Sequence, residues 1–308
     1  MKHLKEYDLV REWLGGLLAG SAISFDGLTM IPLTVSTGAE PDWLLLDEAL
    51  ALGAAEVAEV SQAGAVPTLY VTNAGPKDVL LLDGEELVGA KQNRILNTTV
   101  LVRSSRTVSI PVSCVEQGRW AYRSRRFASG GRSLYASIRR KKAAQVHASL
   151  QMRQAHRADQ AGIWSELSEK AANFRVRSPS SAMADVFIAH EHDVLEYQRA
   201  LAAQPLQVGA LVYQGGDWIG LDLLPGARLF AGAWPKLVSG YAMDALGAKV
   251  VGQPTESATR RLDDLLNASV EVFPAVGDGN DCRFRGTGVL GAALLVDGIV
   301  GHLMAFPD

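Results

Sequence analysis

Hydrophobic and polar residues alternate in short runs over the first third of the chain. Runs of four to eight residues, rich in β-branched side chains and bounded by glycine or polar turns, are typical of strands. Six runs fit this description: Leu28–Val35, Val57–Val60, Val66–Val71, Val79–Leu82, Ile95–Val102 and Val108–Val112. Short strands at this spacing predict a β-sandwich or a barrel-like N-terminal half.

The pattern changes to helical spacing between Ser133 and Ala203. Ile138, Val146 and Leu150 mark one helix, and Ile163 and Leu167 mark a second one. Apolar residues three or four positions apart lie on one face of a helix, where they pack against a core. We therefore expect a helical middle segment that interrupts two β-rich parts.

Strand character returns after Pro205 and continues to the end of the chain. Residues 208–213, 218–223 and 228–231 are predicted strands, and residues 235–246 and 256–268 are predicted helices. The last two apolar runs flank Asp297-Gly298, a dipeptide typical of a type I′ hairpin turn. A C-terminal α/β segment is thus expected to close the sheet.

These elements predict an α+β fold built as one domain over residues 1–308, with residues 133–203 as a helical insertion. The chain has 308 residues, of which 48% are hydrophobic and 20% charged, so it has the composition of a folded globular protein. Cys114 and Cys282 stand 168 positions apart, which favours a reducing compartment. The uncharged run from Trp13 to Phe25 is too short to span a bilayer, so we expect a cytoplasmic protein.

Charge is distributed unevenly along the chain. Residues 87–158 carry fifteen lysines or arginines and one acid, Glu116, whereas the whole chain has a net charge of −3. Such separation predicts a positive face or cleft. The alternative is that these cations pair with acids from elsewhere in the fold.

The densest group of chemical side chains lies between Val79 and Arg123. Glu85 and Glu86 follow a predicted Asp-Gly turn, and adjacent strand residues face opposite sides, so only one of the two can enter a given pocket. Arginine forks and side-chain amides suit phosphates, carboxylates and the edges of bases. The candidate ligand-binding residues are Lys91, Gln92, Asn93, Arg94, Asn97, Arg119, Trp120 and Arg123.

Four residues are candidates for catalysis: Glu85, Glu86, Cys114 and Glu116. Cys114 has many arginines nearby, which would lower the pKa of a thiol, but no histidine lies close in sequence. The carboxylates suit general acid–base work instead. His190 and His192 project about 200° apart on a helix, so we predict no metal site; the sequence identifies no cofactor.

Three motifs carry a resemblance to a known family: DGEELVGAKQNRILNTT, IPVSCVEQGRW and FRGTGVLGAALLVDGIVGHLMAF. They resemble the bacterial ARG and Rhodanese-Phosphatase-superfamily-associated protein domain, over most of the chain and most strongly from Asp83 to Trp120. The resemblance implies a role in or next to NAD and ADP-ribose metabolism, without fixing a reaction.

The sequence thus predicts binding of an anionic small molecule of the nucleotide class in a basic cleft. If the protein is an enzyme, we expect a hydrolase of nucleotide derivatives that works through carboxylates rather than through the thiol. The alternative is a nucleic-acid-binding module that uses Arg123–Arg126 and Arg139–Lys142, or a protein-interaction module. No membrane partner is expected, and the sequence does not indicate an oligomeric state.

Overall fold

The computed structural model describes residues 2–35, 40–248, 252, 254 and 257–308. The strands before the helical middle are β1 (Leu17–Ala19), β2 (Ile23–Phe25), β3 (Leu28–Val35), β4 (Leu44–Leu45), β5 (Ala55–Glu59), β6 (Thr68–Asn73), β7 (Val79–Leu81), β8 (Glu85–Gly89), β9 (Arg94–Leu96), β10 (Val100–Val102), β11 (Arg106–Cys114) and β12 (Arg126–Ser133). The later strands are β13 (Gln207–Gln214), β14 (Asp217–Leu223), β15 (Ser269–Pro274), β16 (Asn280–Gly286), β17 (Val289–Val296) and β18 (Ile299–Phe306). The helices are α1 (Lys2–Gly15), α2 (Leu46–Ala51), α3 (Ala136–Gln151), α4 (Gln160–Asn173), α5 (Met183–Ala189), α6 (Glu191–Ala200), α7 (Ala227–Ala248) and α8 (Ala258–Leu266).

Six strands close into an antiparallel barrel in the order β11, β6, β5, β12, β8 and β9. Side chains along a strand point alternately to its two faces, and β6 follows this rule: Leu69 and Val71 are buried, whereas Tyr70 and Thr72 are exposed. The inward side chains of the six strands fill the barrel interior: Val57, Leu69, Val71, Leu87, Leu96, Ile110, Val112 and Phe127. This alternation identifies which residues of each strand face the interior.

A three-stranded sheet of β10, β7 and β4 packs against one end of the barrel. Val79, Leu81 and Val100 join the barrel core, while Leu80 and Leu101 on the opposite face join the core around α7. The side chain of Asn73, at the end of β6, donates a hydrogen bond to the carbonyl of Val102 at 3.1 Å. The first residues of β5 and β11 pair with Asn73 at this end. The last residues of both strands therefore lie at the opposite end of the barrel.

The third sheet has nine strands, with the main path β1, β3, β13, β14, β18, β17, β16 and β15, and with β2 paired to β3. It joins the N-terminal strands to the C-terminal hairpin, as the sequence predicts. Asp297 and Gly298 both have positive φ, at 51° and 77°, which a type I′ turn requires. One face of the sheet packs on α7, and α1 and α8 cover the other.

Four helices, α3 to α6, connect the barrel strand β12 to strand β13 of the large sheet. Ile163, Leu167, Met183 and Phe187 form a core with Ile95 and Val115, which come from the outer side of the barrel. The α+β fold is thus confirmed, with a barrel in the N-terminal half and a helical middle. No helix in the described residues is long and apolar enough to cross a membrane.

Two local predictions are wrong. Residues 228–231, predicted as a strand, form the first turns of α7 because Leu229 and Phe230 pack into the core around that helix. The run Ile95–Val102 is two strands, β9 and β10, in two different sheets, because the polar residues 97–99 turn the chain between them.

A fully buried ion network joins the barrel side of the molecule to the large sheet. The guanidinium of Arg139 donates to both oxygens of Asp222, at 2.7 and 3.0 Å, and also lies 3.6 Å from Asp83, which pairs with Lys142. Tyr241 and His302 also contact Asp222, at 2.8 and 3.0 Å. Burial alone would raise the pKa of Asp222, but Arg139 and His302 hold it well below its ordinary value.

We predict that Asp222→Ala lowers the free energy of unfolding by about 3–5 kcal/mol, because it leaves the buried Arg139 without its carboxylate. Urea denaturation measures this loss, and Asp217→Ala on the same strand, where the side chain is exposed, is the matched control. The double variant Arg139→Met/Asp222→Leu removes both charges. It should lower the free energy of unfolding by less than the sum of the losses for Arg139→Met alone and Asp222→Leu alone. A loss below about 1 kcal/mol for Asp222→Ala would contradict this role of the network.

Candidate functional site

Glu116 and Arg119 form a closed ion pair rather than a free base and a free cation. Arg119 donates from Nε and Nη2 to the two oxygens of Glu116, at 2.9 and 2.6 Å. Its Nη1 donates to the carbonyls of Ala90 and Ala121, and Nη2 also donates to that of Gly89. Burial raises the pKa of Glu116, but bonds from Arg119, Ser180 and the backbone N–H of Asn93 outweigh it and lower the pKa overall. Arg119 therefore has its donors occupied within the protein.

The amide side chains predicted to bind a ligand also bond internally. Asn93 Nδ2 donates to Glu86 at 3.5 Å while its Oδ1 accepts from Arg119 at 3.2 Å. Gln92 Nε2 donates to the carbonyl of Glu116 at 3.0 Å. Asn97 lies elsewhere, where it donates to the carbonyl of His156 and accepts from Ser113. These contacts order the loop between β8 and β9.

Glu85 and Glu86 face opposite sides of β8, as the alternation predicts. Glu85 binds the buried Lys236 of α7 at 2.8 Å. Glu86 lies on the outer face of the barrel, since its neighbour Leu87 faces inward, and it is 3.2 Å from Arg132. Burial raises the pKa of Glu86 to about 7 although Arg132 opposes the shift. Glu86 is therefore a buried carboxylate whose pKa lies near neutrality.

Cys114 does not have the environment of an activated thiol. Its side chain is fully buried, with Sγ 3.3 Å from Gln92 Oε1 and from the carbonyl of Glu116. Burial raises the pKa of the thiol, and the nearby charge of Arg94 only partly offsets this. A thiol held protonated is a poor nucleophile, so the geometry disfavours the nucleophilic role that the nearby arginines suggested.

Lys91 and Arg94 differ from every other buried cation that the structure describes. Seven lysines and arginines are buried: Lys91, Arg94, Arg119, Arg139, Lys142, Lys236 and Arg283. Five of them contact a carboxylate within 4.0 Å, whereas the described residues place none that close to Lys91 or Arg94. Arg94 donates only from Nη1, to Gln92 and to the backbone of Asn93, so its Nε and Nη2 have no acceptor among the described residues.

Arg94 lies inside the barrel, at the end opposite the three-stranded sheet. It shares a face of β9 with Leu96, which is part of the barrel core, and by the same alternation Cys114 follows Val112 inward. Glu59, two residues after Val57 on β5, enters the same end, and both of its carboxylate oxygens are buried without a hydrogen-bond donor among the described residues. We call this group the barrel mouth: Glu59, Lys91, Arg94 and Trp120.

Trp120 belongs to the loop after β11 and covers the two cations of the barrel mouth. Its ring lies 5.1 Å from Lys91 Nζ and 5.7 Å from the guanidinium of Arg94, and the side chain is 47% exposed. A Cβ built on Gly64 would lie 3.2 Å from Lys91, 3.3 Å from Glu59 and 3.4 Å from Trp120, so three members of the mouth converge on this glycine. Gly64 also has a φ of +74°, which favours glycine.

Glu59 is the member of the barrel mouth that the sequence analysis missed. It lies 26 positions before Glu85, outside the dense stretch, and no motif distinguishes it from other solvated acids. Burial lowers the pKa of the Arg94 guanidinium, and the charge of Glu59, which closure of the barrel brings close, acts in the opposite direction. Only the pairing of β5 with β6 and β12 reveals this proximity.

About half of the cations in the basic segment of residues 87–158 form ion pairs in the fold. Eight of its fifteen cations contact a carboxylate: Arg103, Arg119, Arg123, Arg126, Arg132, Arg139, Lys141 and Lys142. Most of these acids lie outside the segment. Pairing with acids from elsewhere in the fold therefore accounts for about half of the segment's cations. Arg123 is 65% exposed and reaches Glu116 only at 3.8 Å.

A group of potential metal ligands lies on α6, away from the barrel mouth. Oxygen and nitrogen atoms of His192, Asp193 and Glu196 come within 4.8 Å of one another on the outer side of the helix. Asp193 already accepts a hydrogen bond from His190 at 3.0 Å. Exposed acidic groups of this kind are common without an ion, so we assign no metal to them.

We predict that Glu86→Gln removes a pH dependence of stability. Because its pKa rises from 4.5 to about 7, folded Glu86 holds a proton that the unfolded chain has lost, and stability falls as the pH rises between these values. Between pH 5 and pH 8 the variant should gain about 2–3 kcal/mol relative to the wild type in urea denaturation. The exposed Glu169→Gln is the control, and an equal difference at both pH values would contradict the prediction.

Comparison with known proteins places the chain by family alone. No curated protein and no solved structure matches it. A family model matches residues 16–306, which is nearly the whole chain and includes the barrel, the helical middle and the large sheet. The chain therefore belongs to the family of the ARG and Rhodanese-Phosphatase-superfamily-associated protein domain.

Proposed function

We propose that the protein binds a phosphate-bearing nucleotide derivative of the ADP-ribose and NAD class at the barrel mouth. One observation carries this proposal: Lys91 and Arg94 are buried cations without a carboxylate partner among the described residues. Burying an unpaired charge costs several kcal/mol, so a protein that retains two such charges at one place has a use for them. An anionic ligand would supply the missing acceptors.

Each member of the barrel mouth matches one part of such a ligand. The planar guanidinium of Arg94 offers two free N–H directions, which suit two oxygens of a phosphate. Glu59 offers two free acceptor oxygens, as carboxylates do where they bind ribose hydroxyls. Trp120 presents a half-exposed ring on which a base can stack, a contact that contributes about 1–3 kcal/mol in nucleic-acid sites.

The loop of residues 60–67 covers the barrel mouth in the conformation described here. Lys91 Nζ donates to the carbonyl of Ala63 at 2.6 Å, and the Tyr122 hydroxyl donates to the carbonyl of Gln62 at 3.3 Å. Arg94 has no exposed surface beneath this loop. Ligand entry therefore requires the loop to open, and the amine of Lys91 then exchanges a backbone carbonyl for a phosphate.

We limit the proposal to binding. Both oxygens of Glu116 accept hydrogen bonds from Arg119, Ser180 and the backbone, and Glu85 is held by Lys236. Glu86, which keeps a pKa near neutrality, lies on the outer face of the barrel rather than at the mouth. The carboxylate pair predicted for hydrolysis is therefore not arranged around Arg94.

Nucleic acid is the competing ligand, and the structure reduces the surface available to it. Arg139 and Lys142 are buried in the ion network around Asp222 and Asp83. Arg123, Arg125 and Arg126 remain exposed beside Trp120. This cluster is smaller than the two-part basic surface that the sequence predicts.

We predict that isothermal titration detects ADP-ribose or NAD binding to the full-length protein, and that Arg94→Gln weakens it by at least about tenfold. The reason is the loss of charge-assisted bonds worth about 1.5–3 kcal/mol to phosphate. Arg106→Gln, which removes an exposed arginine from the neighbouring strand β11, should bind as the wild type does.

Titration at about 50 mM and about 200 mM salt, with a short RNA in parallel, separates the two ligand classes. A pocket that holds one diphosphate should lose little affinity over this range, whereas a protein that neutralises 6–10 phosphates loses about 10³–10⁵-fold. The proposal is wrong if neither small ligand produces heat, or if RNA alone binds with a steep salt dependence.

A further inference from the structure

A pocket of about 210 Å³ lies on the outer face of the barrel, between strand β12 and helices α5 and α6. We call it the β12–α6 pocket. Phe187, Val194 and Leu195 form its apolar walls, and Gly130 and Gly131 lie opposite with Arg132. Two polar residues of α6, Glu191 and Gln198, also line it. A cavity of about 150 Å³ holds benzene, so this pocket admits a small organic molecule.

Arg132 gives the pocket a cation with a free donor. Its Nε donates to the carbonyl of Gly130 at 2.9 Å, and its Nη1 donates to the carbonyl of Ala184 at 3.1 Å. The described residues supply no acceptor for Nη2. The guanidinium also lies 5.6 Å from the ring of Phe187, and one fifth of the side chain is exposed. A carboxylate in the pocket can therefore accept from Nη2 while its carbon body contacts the apolar wall.

Glu86 lies directly behind the glycine wall of the pocket. A Cβ built on Gly130 would be 2.6 Å from Glu86 Oε2, so only a glycine fits between the pocket and this carboxylate. Oε2 is buried and lies 3.2 Å from Arg132 Nε, in a geometry that makes no hydrogen bond. Glu86 is thus the built-in counter-charge of Arg132.

We propose that the β12–α6 pocket binds a small carboxylic acid with an apolar body, whose carboxylate pairs with Arg132 while Glu86 takes up a proton from solvent. The ligand's charge replaces that of Glu86, so Arg132 keeps one anionic partner throughout. No covalent bond forms or breaks other than the O–H bond of Glu86.

The surroundings of Glu86 support this exchange. The charged groups that act on it are Arg132 from β12, Glu116 from the segment after β11 and Asp185 from α5, together with a hydrogen bond from Asn93. Two of these three charges are negative and oppose ionisation of Glu86. Burial and these neighbours place its pKa at about 7, so protonation near neutral pH costs little.

Benzoate and benzamide are the probes, because they share a shape and differ in charge. In isothermal titration of the full-length protein, benzoate should bind about tenfold more tightly at pH 6 than at pH 8, in proportion to the protonated fraction of Glu86. Benzoate itself is ionised at both pH values, which lie well above the pKa of a carboxylic acid. Benzamide should bind at least about tenfold more weakly than benzoate at pH 6.

Two variants assign the binding to the named groups. Glu86→Gln should abolish the pH dependence and bind benzoate at pH 8 as tightly as the wild type does at pH 6. Arg132→Met should remove binding, whereas Arg126→Met, an exposed arginine on the same strand, should retain it. Since Arg132→Met leaves Glu86 buried without its cation, the double variant Glu86→Gln/Arg132→Met tests the same loss without that charge.

Several results would overturn the proposal. They are equal affinities for benzoate and benzamide, retention of benzoate binding in both Arg132 variants, and the absence of heat with benzoate at millimolar concentration. Loss of benzoate binding in Arg94→Gln, with retention in Arg132→Met, would assign the acid to the barrel mouth instead.

Discussion

The buried pairing of Arg139 with Asp222 links the barrel side of the molecule to the large sheet. Asp222 belongs to the large sheet, Arg139 to the first helix of the middle segment, and Asp83 to the turn that leads into the barrel. None of these charges has access to solvent, so each must keep its partners or carry a large desolvation cost. The network therefore fixes how the barrel, the helices and the sheet meet.

The alternation of inward and outward side chains along the barrel strands separates two groups of charged residues. Inward residues at one end bring Glu59 and Arg94 together at the barrel mouth, and outward residues place Glu86 beside Arg132. Glu86 and Arg94 lie only eight positions apart in the chain, yet they face opposite sides of the barrel wall. Asn93, on the loop between them, accepts a hydrogen bond from Arg119 and donates one to Glu86.

The sequence predicts strands and turns that depend on a local pattern. It does not predict which distant segments pair or form ion pairs. The apolar run Leu28–Val35 and the Asp297-Gly298 turn are predicted correctly because a strand or a tight turn is determined by a few adjacent residues. The split of Ile95–Val102 between two sheets depends on partners that no local pattern names. The basic segment looks like a binding surface in sequence because the acids that neutralise it, such as Asp222 and Glu166, come from later elements.

The predicted site shows the same division. Residue type and density led to Lys91, Arg94 and Trp120, which do converge at the barrel mouth. The same criteria also selected Arg119, Glu116 and Asn93, whose polar atoms bond to one another. Only three-dimensional contacts distinguish a cation with free donors from one whose donors are all occupied. Glu59 was missed for the converse reason, since its importance comes from its position opposite Arg94.

Hydrogen–deuterium exchange with and without ADP-ribose reports ligand binding at the barrel mouth, because the ligand must open the loop of residues 60–67 and then order it. With ADP-ribose bound, we expect slower exchange in peptides that cover residues 59–67, 90–96 and 119–123. Peptides of β15, the last strand of the large sheet, and of α8, which covers one face of that sheet, should be unchanged. Unaltered exchange over residues 59–67 at a saturating ADP-ribose concentration, or protection confined to other segments, would contradict binding at the barrel mouth.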